Sequence, residues 1–257
     1  MMCDHNSSPQ PFGSLLHKPW RPSLCRMFAV IPKHHSLLQS DRLRAFRKLS
    51  VSGKVRSGAS PGHHDGWGVV IWRDGHPSYL AREPTDASND PLFHQVCTQI
   101  DNLKVSSHLI AHLRKSSSGA ITKENTHPFI LGDWAFAHNG TIFKHDLSTK
   151  NDGQLFFEQL LLRGSKESIT DAIRAQARSI HDQYKYTSIT FLLSNGIDLY
   201  AYRDFTDYSY YYTMFFTVLN DRVMVSQERF FDSDWIELNN FQLLHVSESG
   251  TDIQDLG

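Results

Sequence analysis

The stretch Cys25-Arg26-Met27-Phe28-Ala29-Val30 decides how this chain is interpreted. Apart from Arg26, residues 26–31 are all apolar, which predicts a buried strand. A cysteine that opens such a strand is a candidate nucleophile. A buried cysteine is also common as a plain core thiol, so both interpretations stay open at this point.

Turn residues and apolar runs predict further strands along the chain. Gly66 to Arg73 is strand-like, and Asp74-Gly75 predicts a hairpin into residues 76–81. The other predicted strands are 104–114, 134–138, 188–194, 198–203, 211–219, 222–226 and 241–246. In the first of these, alternation places His108, His112 and Arg114 on one face.

Helices are predicted between these strands. One follows Ser40-Asp41, one begins near Pro91 and buries Cys97, and two more cover 153–162 and 167–182. Residues 51–63 are rich in Gly, Ser and Pro and are expected to form a long loop. Many antiparallel strands with helices among them indicate an α+β fold. We expect a four-layer αββα sandwich, in which two antiparallel sheets pack face to face with helices outside.

Composition narrows the function further. The 257 residues carry 26 basic and 27 acidic side chains, so no nucleic-acid or membrane surface is indicated. No apolar run approaches the about 18 residues of a membrane span. The three cysteines are too few and too scattered for a disulfide framework, which favours reduced thiols and a cytoplasmic protein. Residues 1–24 are rich in Pro and Ser and are expected to be a disordered extension.

Three distant signals supply the groups needed to open a carboxamide. Arg114 ends a strand, where a guanidinium would hold the α-carboxylate of an amino acid. Asp152 precedes a helix and would hold the α-ammonium group. Asn139-Gly140 offers a side-chain amide and a main-chain N–H for the oxyanion that develops when Cys25 attacks.

These motifs resemble the class II glutamine amidotransferases, the N-terminal-nucleophile type. The likeness is greatest to small single-domain members related to the ergothioneine-pathway amidohydrolase. Such proteins begin Met-Cys-Arg-Leu-Phe and carry DGWG, His-x-Arg, Asn-x-His-Pro-Phe and Phe-Ala-His-Asn-Gly motifs, followed by a Thr-Asp-Ser-Glu context. The matching segments here are 25–28, 65–68, 112–114, 125–129, 136–140 and 151–154, and a late Val-Ser-Gln-Glu strand at 225–228 also fits.

The resemblance implies a residue for each role. Cys25 would be the nucleophile and its free α-amine the base, Asn139 and Gly140 the oxyanion hole, and Arg114 and Asp152 the clamp on glutamine. Two segments depart from the family pattern. After Arg114, Lys115 adds a charge beside the entrance, and Ser117 stands where the family has threonine, which keeps a hydroxyl for substrate binding. The Thr-Asp-Ser-Glu context is only half present at 151–154, around Asp152. The resemblance implies an N-terminal-nucleophile hydrolase fold, a single domain over 25–257, and no cofactor or metal.

A free amine at Cys25 requires that residues 1–24 be a cleaved propeptide or that translation start at Leu24. We expect no synthase domain after the glutaminase fold, so the ammonia acceptor would be water or a substrate of a separate synthase subunit. Within this chemistry, the substrate is glutamine or a γ-glutamyl amide. The alternative is a non-catalytic relative that binds an amino acid or a partner protein.

Other sites are weaker interpretations of the same residues. His108 and His112 have the spacing of a helical metal pair but lie in a predicted strand. A papain-like site lacks that family's signature around Cys25. His112, His127 and His138 are interpreted as hydrogen-bonded scaffold residues.

Overall fold

The computed structural model describes residues 25–116, 120–143 and 151–257. The predictions for residues 1–24 and for Ser117 lie outside these ranges. The helices are α1 Asp41–Arg47, α2 Leu49–Ser52, α3 Pro91–Leu103, α4 Asp152–Gly164 and α5 Ile169–Gln183. The strands are β1 Arg26–Pro32, β2 Gly66–Arg73, β3 His76–Glu83, β4 Leu109–Arg114, β5 Phe129–Leu131, β6 Trp134–Asn139, β7 Ile142–Phe143, β8 Lys185–Tyr186, β9 Thr190–Ser194, β10 Leu199–Arg203, β11 Phe215–Val218, β12 Arg222–Ser226, β13 Ile236–Glu237, β14 Gln242–Ser247 and β15 Gly250–Asp255.

Two antiparallel sheets form the centre of the molecule. The larger has seven strands in the order β13-β11-β12-β1-β4-β2-β3, and the smaller has six in the order β15-β14-β10-β9-β6-β5. β1 therefore lies at the middle of the larger sheet, with β4 on one side and β12 on the other. A short pair, β7 with β8, stands apart from both sheets.

Three apolar cores separate four layers. The core between the sheets includes Met27, Ile110 and Ala137. A second core packs α1 and α3 on the outer face of the larger sheet, around Phe28 and Phe93. A third packs α4 and α5 on the outer face of the smaller sheet, and its members include Phe136, Phe156 and Ile173. The αββα sandwich of two antiparallel sheets is confirmed.

Two strand predictions are wrong at their start. The strand expected over 104–114 begins at Leu109, so His108 lies outside it. The strand expected over 211–219 begins only at Phe215. Tyr208 has a left-handed backbone, with φ of 60°, and the N–H groups of Tyr211 and Tyr212 both donate to its carbonyl oxygen. The segment is therefore a tight turn, which brings both tyrosines into the interior, where they are at most 1% exposed.

Candidate functional site

Strand alternation brings Cys25 and Asn139 to the same end of the sandwich. Met27 of β1 faces the space between the sheets, and Cys25, two residues earlier, lies on the same face. Ala137 of β6 faces that space from the opposite sheet, and Asn139, two residues later, shares its face. The two residues therefore meet across the sandwich although they are 114 positions apart in sequence.

Four hydrogen bonds within the described part of the chain hold the main chain of Cys25. Its N–H donates to Asn139 Oδ1 at 3.2 Å. Its carbonyl oxygen accepts from Asn139 Nδ2 at 3.1 Å, from Arg26 Nη1 at 2.8 Å and from the Tyr211 hydroxyl at 3.2 Å. Burial raises the pKa of Tyr211, so this phenol stays neutral and remains a donor. Cys25, only 2% exposed, is thereby fixed at the head of β1.

The Cys25 thiol points at the loop that follows β4. Its Sγ lies 3.8 Å from the carbonyl oxygen of Lys115, within hydrogen-bond range for sulfur. Lys115 follows Arg114 directly, so the thiol lies beside the residue expected to bind a carboxylate. That Cys25 and Arg114 serve one site stays a prediction.

Arg26 supports this arrangement from the outer side of the sheet. Its side chain is 1% exposed, its Nε donates to Glu228 Oε2 at 2.8 Å, and its Nη2 donates to the Lys54 carbonyl oxygen. The guanidinium carbon lies 4.4 Å from the centre of the Tyr211 ring. A buried charge needs such partners, because desolvation would otherwise cost several kcal/mol, on the order of 3–5 when one partner is lost.

Arg114 ends β4 with part of its guanidinium unused. Its Nη2 donates to Ser116 Oγ at 3.3 Å and to the Ala120 carbonyl oxygen at 3.2 Å. Its Nη1 is buried and has no hydrogen-bond partner among the described residues. Asp65 secures this turn, since its Oδ2 accepts from the Ser116 N–H at 2.8 Å. An unsatisfied buried guanidinium nitrogen is a position where a ligand carboxylate would be stabilised.

Asp152 is the first residue of α4, one residue before the predicted helix start. Its Oδ2 accepts from the Ile142 N–H at 2.7 Å, which ties the helix to the chain that follows Gly140. Asn151 caps the helix by accepting from the Gln154 N–H at 2.8 Å. The described contacts do not join Asp152 directly to Cys25 or Arg114, so its place in the site rests on the resemblance.

Gly140 has no room for a side chain. Its φ is +155°, and a Cβ there would lie 1.8 Å from the Ser188 carbonyl oxygen. Gly68 is similarly confined, because a Cβ would lie 2.4 Å from the His127 carbonyl oxygen. The glycines of the Asp-Gly-Trp-Gly and Asn-Gly motifs thus permit close main-chain approach, as expected for structural positions next to the site.

Buried imidazoles lie behind Arg114. The His112 and His127 ring centres are 4.6 Å apart, and burial followed by the charge of Arg114 lowers the pKa of His112 to about 3. His138 Nε2 contacts the Ser188 carbonyl oxygen at 3.2 Å. The scaffold interpretation is confirmed for His138. It is wrong in one respect for His112 and His127, because none of their ring nitrogens has a hydrogen-bond partner among the described residues.

Sequence reasoning missed Tyr211 and the role of Arg26. The turn-forming Asp207 and Ser209 flank Tyr208 and were the available signal against a continuous strand. Within 25–116, 120–143 and 151–257, no group of three or more His, Cys, Asp or Glu is placed to bind a metal ion. Over the same ranges, no helix is both long enough and apolar enough to cross a membrane.

Comparisons with known proteins agree with the fold and with the family resemblance. A family model described as class II glutamine amidotransferases matches residues 43–218, more than half of the chain. A putative glutamine amidotransferase of Haemophilus influenzae is 37% identical over 91 residues, which are 34% of this chain and 30% of that protein. The chain spans less than half the length of the curated relatives that it matches.

Two solved structures share the architecture. A glutamine aminotransferase class-II domain protein from Silicibacter pomeroyi has a TM-score of 0.62 at 18% identity, covering 90% of this chain and 99% of its own. The glutamine phosphoribosylpyrophosphate amidotransferase of Bacillus subtilis, solved with ADP and GMP, has a TM-score of 0.59 at 13% identity, covering 91% of this chain and 49% of its own. At these identities the likeness is one of fold.

Proposed function

Because the chain belongs to the class II glutamine amidotransferase family, we propose that it cleaves the side-chain amide of glutamine, or of a γ-glutamyl compound, through a thioester at Cys25. The observation that carries this proposal is the position of the thiol. Cys25 Sγ lies next to the loop that follows Arg114, and the Cys25 main chain is bonded to Asn139 on the opposite sheet. Cys25, Arg114 and Asn139 lie at one end of the sandwich, which supports their assignment as nucleophile, carboxylate binder and amide donor.

In the proposed reaction the Cys25 thiol gives its proton to the free α-amine of the same residue. The sulfur then attacks the amide carbon, and the C–N bond breaks as the ammonium returns that proton to the leaving nitrogen. Water hydrolyses the resulting thioester and releases a carboxylate. An unperturbed α-amine titrates near about 8, which suits a base at neutral pH.

Asn139 has two tasks in this scheme. Its Oδ1 accepts from the Cys25 nitrogen, and an amine held there by one hydrogen keeps a lone pair for the thiol proton. Its Nδ2 already donates to the Cys25 carbonyl oxygen and to Gln227 Oε1, so stabilising an oxyanion requires one of these bonds to be exchanged. The main-chain N–H at Gly140 is the second proposed donor.

The proposed substrate clamp uses Arg114 for the α-carboxylate and Asp152 for the α-ammonium group, with Ser117 as an additional polar contact. The unsatisfied Nη1 of Arg114 supports the first assignment. Asp152 already binds the Ile142 N–H through Oδ2, so the ammonium group would be bound by the remaining capacity of that carboxylate. The released ammonia would pass to a separate synthase subunit, or water would complete a simple hydrolysis.

The test is ammonia release from glutamine by natively expressed protein, combined with labelling by an electrophilic glutamine analogue. We expect Cys25→Ala to abolish release while the thermal transition is retained. Cys97 is an internal control, because it is fully buried and burial raises the pKa of its thiol to about 11. Labelling at Cys97 instead of Cys25, located by peptide mass mapping, would refute the assignment.

The alternative, a non-catalytic relative that binds an amino acid or a partner protein, is favoured by the low exposure of Cys25, 2%. The mass of the purified protein separates the two. Chemistry requires the Leu24–Cys25 bond to be absent, since an amide nitrogen cannot act as the base. An active enzyme that retains residues 1–24 would contradict the proposed base.

A further inference from the structure

Lys115 contacts both the nucleophile and a second loop. Its carbonyl oxygen accepts from the Cys25 thiol at 3.8 Å. Its ammonium group donates to the Ser60 carbonyl oxygen, to Ser60 Oγ at 3.0 Å, to the Gly62 carbonyl oxygen at 2.9 Å and, at 3.5 Å, to the Pro61 carbonyl oxygen. Three consecutive main-chain carbonyls and one hydroxyl therefore surround one cation.

This group of oxygens depends on a specific backbone. Gly62 has φ of +85°, a left-handed conformation that other residues rarely adopt, and a Cβ there would lie 1.9 Å from His64 Nε2. This left-handed turn directs successive carbonyl oxygens toward one point, where they need a hydrogen-bond donor. We call these oxygens of residues 60–62 the carbonyl nest.

The rest of the 54–62 loop packs against residues that surround Cys25. Lys54 is bonded through its carbonyl oxygen to Arg26 and through its N–H to Glu228 at 2.9 Å. The Arg56 guanidinium lies 4.5 Å from the centre of the Tyr208 ring, and Ala59 packs on the Tyr211–Tyr212 pair. The loop has no regular secondary structure, so these contacts determine where it lies.

We propose that Lys115 is a positioning residue whose ammonium group, bound in the carbonyl nest, holds the 54–62 loop closed beside Cys25 and so couples that loop to the Arg114 turn. The interpretation that this coupling orders a substrate-binding site rests on the proposed function. The charge of Lys115 is directed at the protein's own carbonyls, so it orders the entrance and does not bind the substrate carboxylate. The nest is also predicted to accept a small primary ammonium ion once the lysine side chain is shortened.

The experiment compares Lys115→Ala and Lys115→Met with the wild-type full chain by amide hydrogen exchange. We expect exchange in a peptide over 53–64 to be at least about tenfold faster in both variants, as the loss of charge-assisted hydrogen bonds allows local opening. Exchange over 66–73, in β2, should not change. The alkylation rate of Cys25 by uncharged iodoacetamide should rise with the loop exchange, while Cys97 stays unreactive.

Chemical rescue makes the test specific. Propylammonium supplies the missing donors to Lys115→Ala and should restore slow exchange and slow alkylation. It should fail with Lys115→Met, whose side chain fills the space. Tetramethylammonium is the matched control, because it carries the charge without N–H donors. If the enzyme is active, Lys115→Ala should raise KM several-fold more than it lowers kcat, and propylammonium should reverse the KM effect.

Unchanged exchange over 53–64, faster exchange throughout the protein, or equal rescue by tetramethylammonium would each overturn the proposal. Exchange and alkylation do not require turnover. A wild-type protein without amidase activity would therefore reject the proposed function and leave the result on the carbonyl nest standing.

Discussion

Arg26→Lys is the sharpest test of the buried network around Cys25. The substitution keeps the charge but replaces a planar fork that serves Glu228, the Cys25 carbonyl oxygen and the Lys54 carbonyl oxygen. One ammonium nitrogen on a shorter side chain cannot reach all three acceptors in the same geometry. We expect at least one charge-assisted hydrogen bond to be lost, which lowers the free energy of unfolding by about 3 kcal/mol.

The measurement is thermal unfolding followed by circular dichroism. A loss of about 3 kcal/mol corresponds to a fall in Tm of roughly 6–12 °C for a domain of this size. Arg174→Lys is the matched control. Arg174 pairs with Asp171 at 2.6 Å on the surface of α5, its side chain is 33% exposed, and such pairs contribute at most about 0.5 kcal/mol. If the two variants melt at the same temperature, the buried network does not stabilise the head of β1 as argued.

Three further predictions concern the site and its surroundings. In steady-state kinetics, Arg114→Lys should raise KM for glutamine roughly 10–100-fold, because a hydrogen bond to a charged group is lost. In the same assay, Asn139→Ala should lower kcat by a factor of about 10²–10³. Gly140→Ala should unfold the protein at lower urea concentration than Gly132→Ala, because both sites have positive φ but only the first has a facing carbonyl 1.8 Å from the new Cβ; equal midpoints would contradict the close approach. His112 binds a proton in the unfolded chain near pH 6.5 but in the native state only near pH 3. Below pH 6.5 the unfolded chain therefore binds more protons than the native state, and the free energy of unfolding falls by up to about 1.4 kcal/mol for each pH unit down to pH 3. Urea titrations at pH 7 and pH 5 should show this loss, and His112→Gln should reduce it.

Local patterns in the sequence predicted most elements of the fold. Asp74-Gly75 marks the β2–β3 hairpin, and the apolar face of α3 correctly identified Cys97 as a core residue. Alternation also placed His112 and Arg114 on one face of β4. These successes share a cause, since period and turn chemistry act over a few residues and are visible in the chain itself.

The contacts that complete the site lie beyond such patterns. The Tyr211 hydroxyl meets a carbonyl 186 positions away, and no local periodicity encodes that distance. Tyrosine is also a strong strand former, so the run from Tyr208 to Tyr212 favoured a strand until tertiary packing selected a turn. The direction of Lys115 was equally hidden, because it depends on where the 60–62 carbonyls lie in space. Residue types therefore suggested the chemistry, whereas the contacts that hold the site together could be identified only from the folded structure.

Because β1 lies at the middle of the larger sheet, the candidate site should keep its geometry until late in thermal unfolding. Interior strands with neighbours on both sides exchange their amide protons only when the whole domain opens, whereas edge strands and loops open separately. Cys25 is attached to the strand at the middle of the seven-stranded sheet and is bonded across the sandwich to Asn139. The proposed nucleophile therefore belongs to the most cooperative unit of the protein. Its geometry should persist through partial melting of the periphery and disappear only in the global transition.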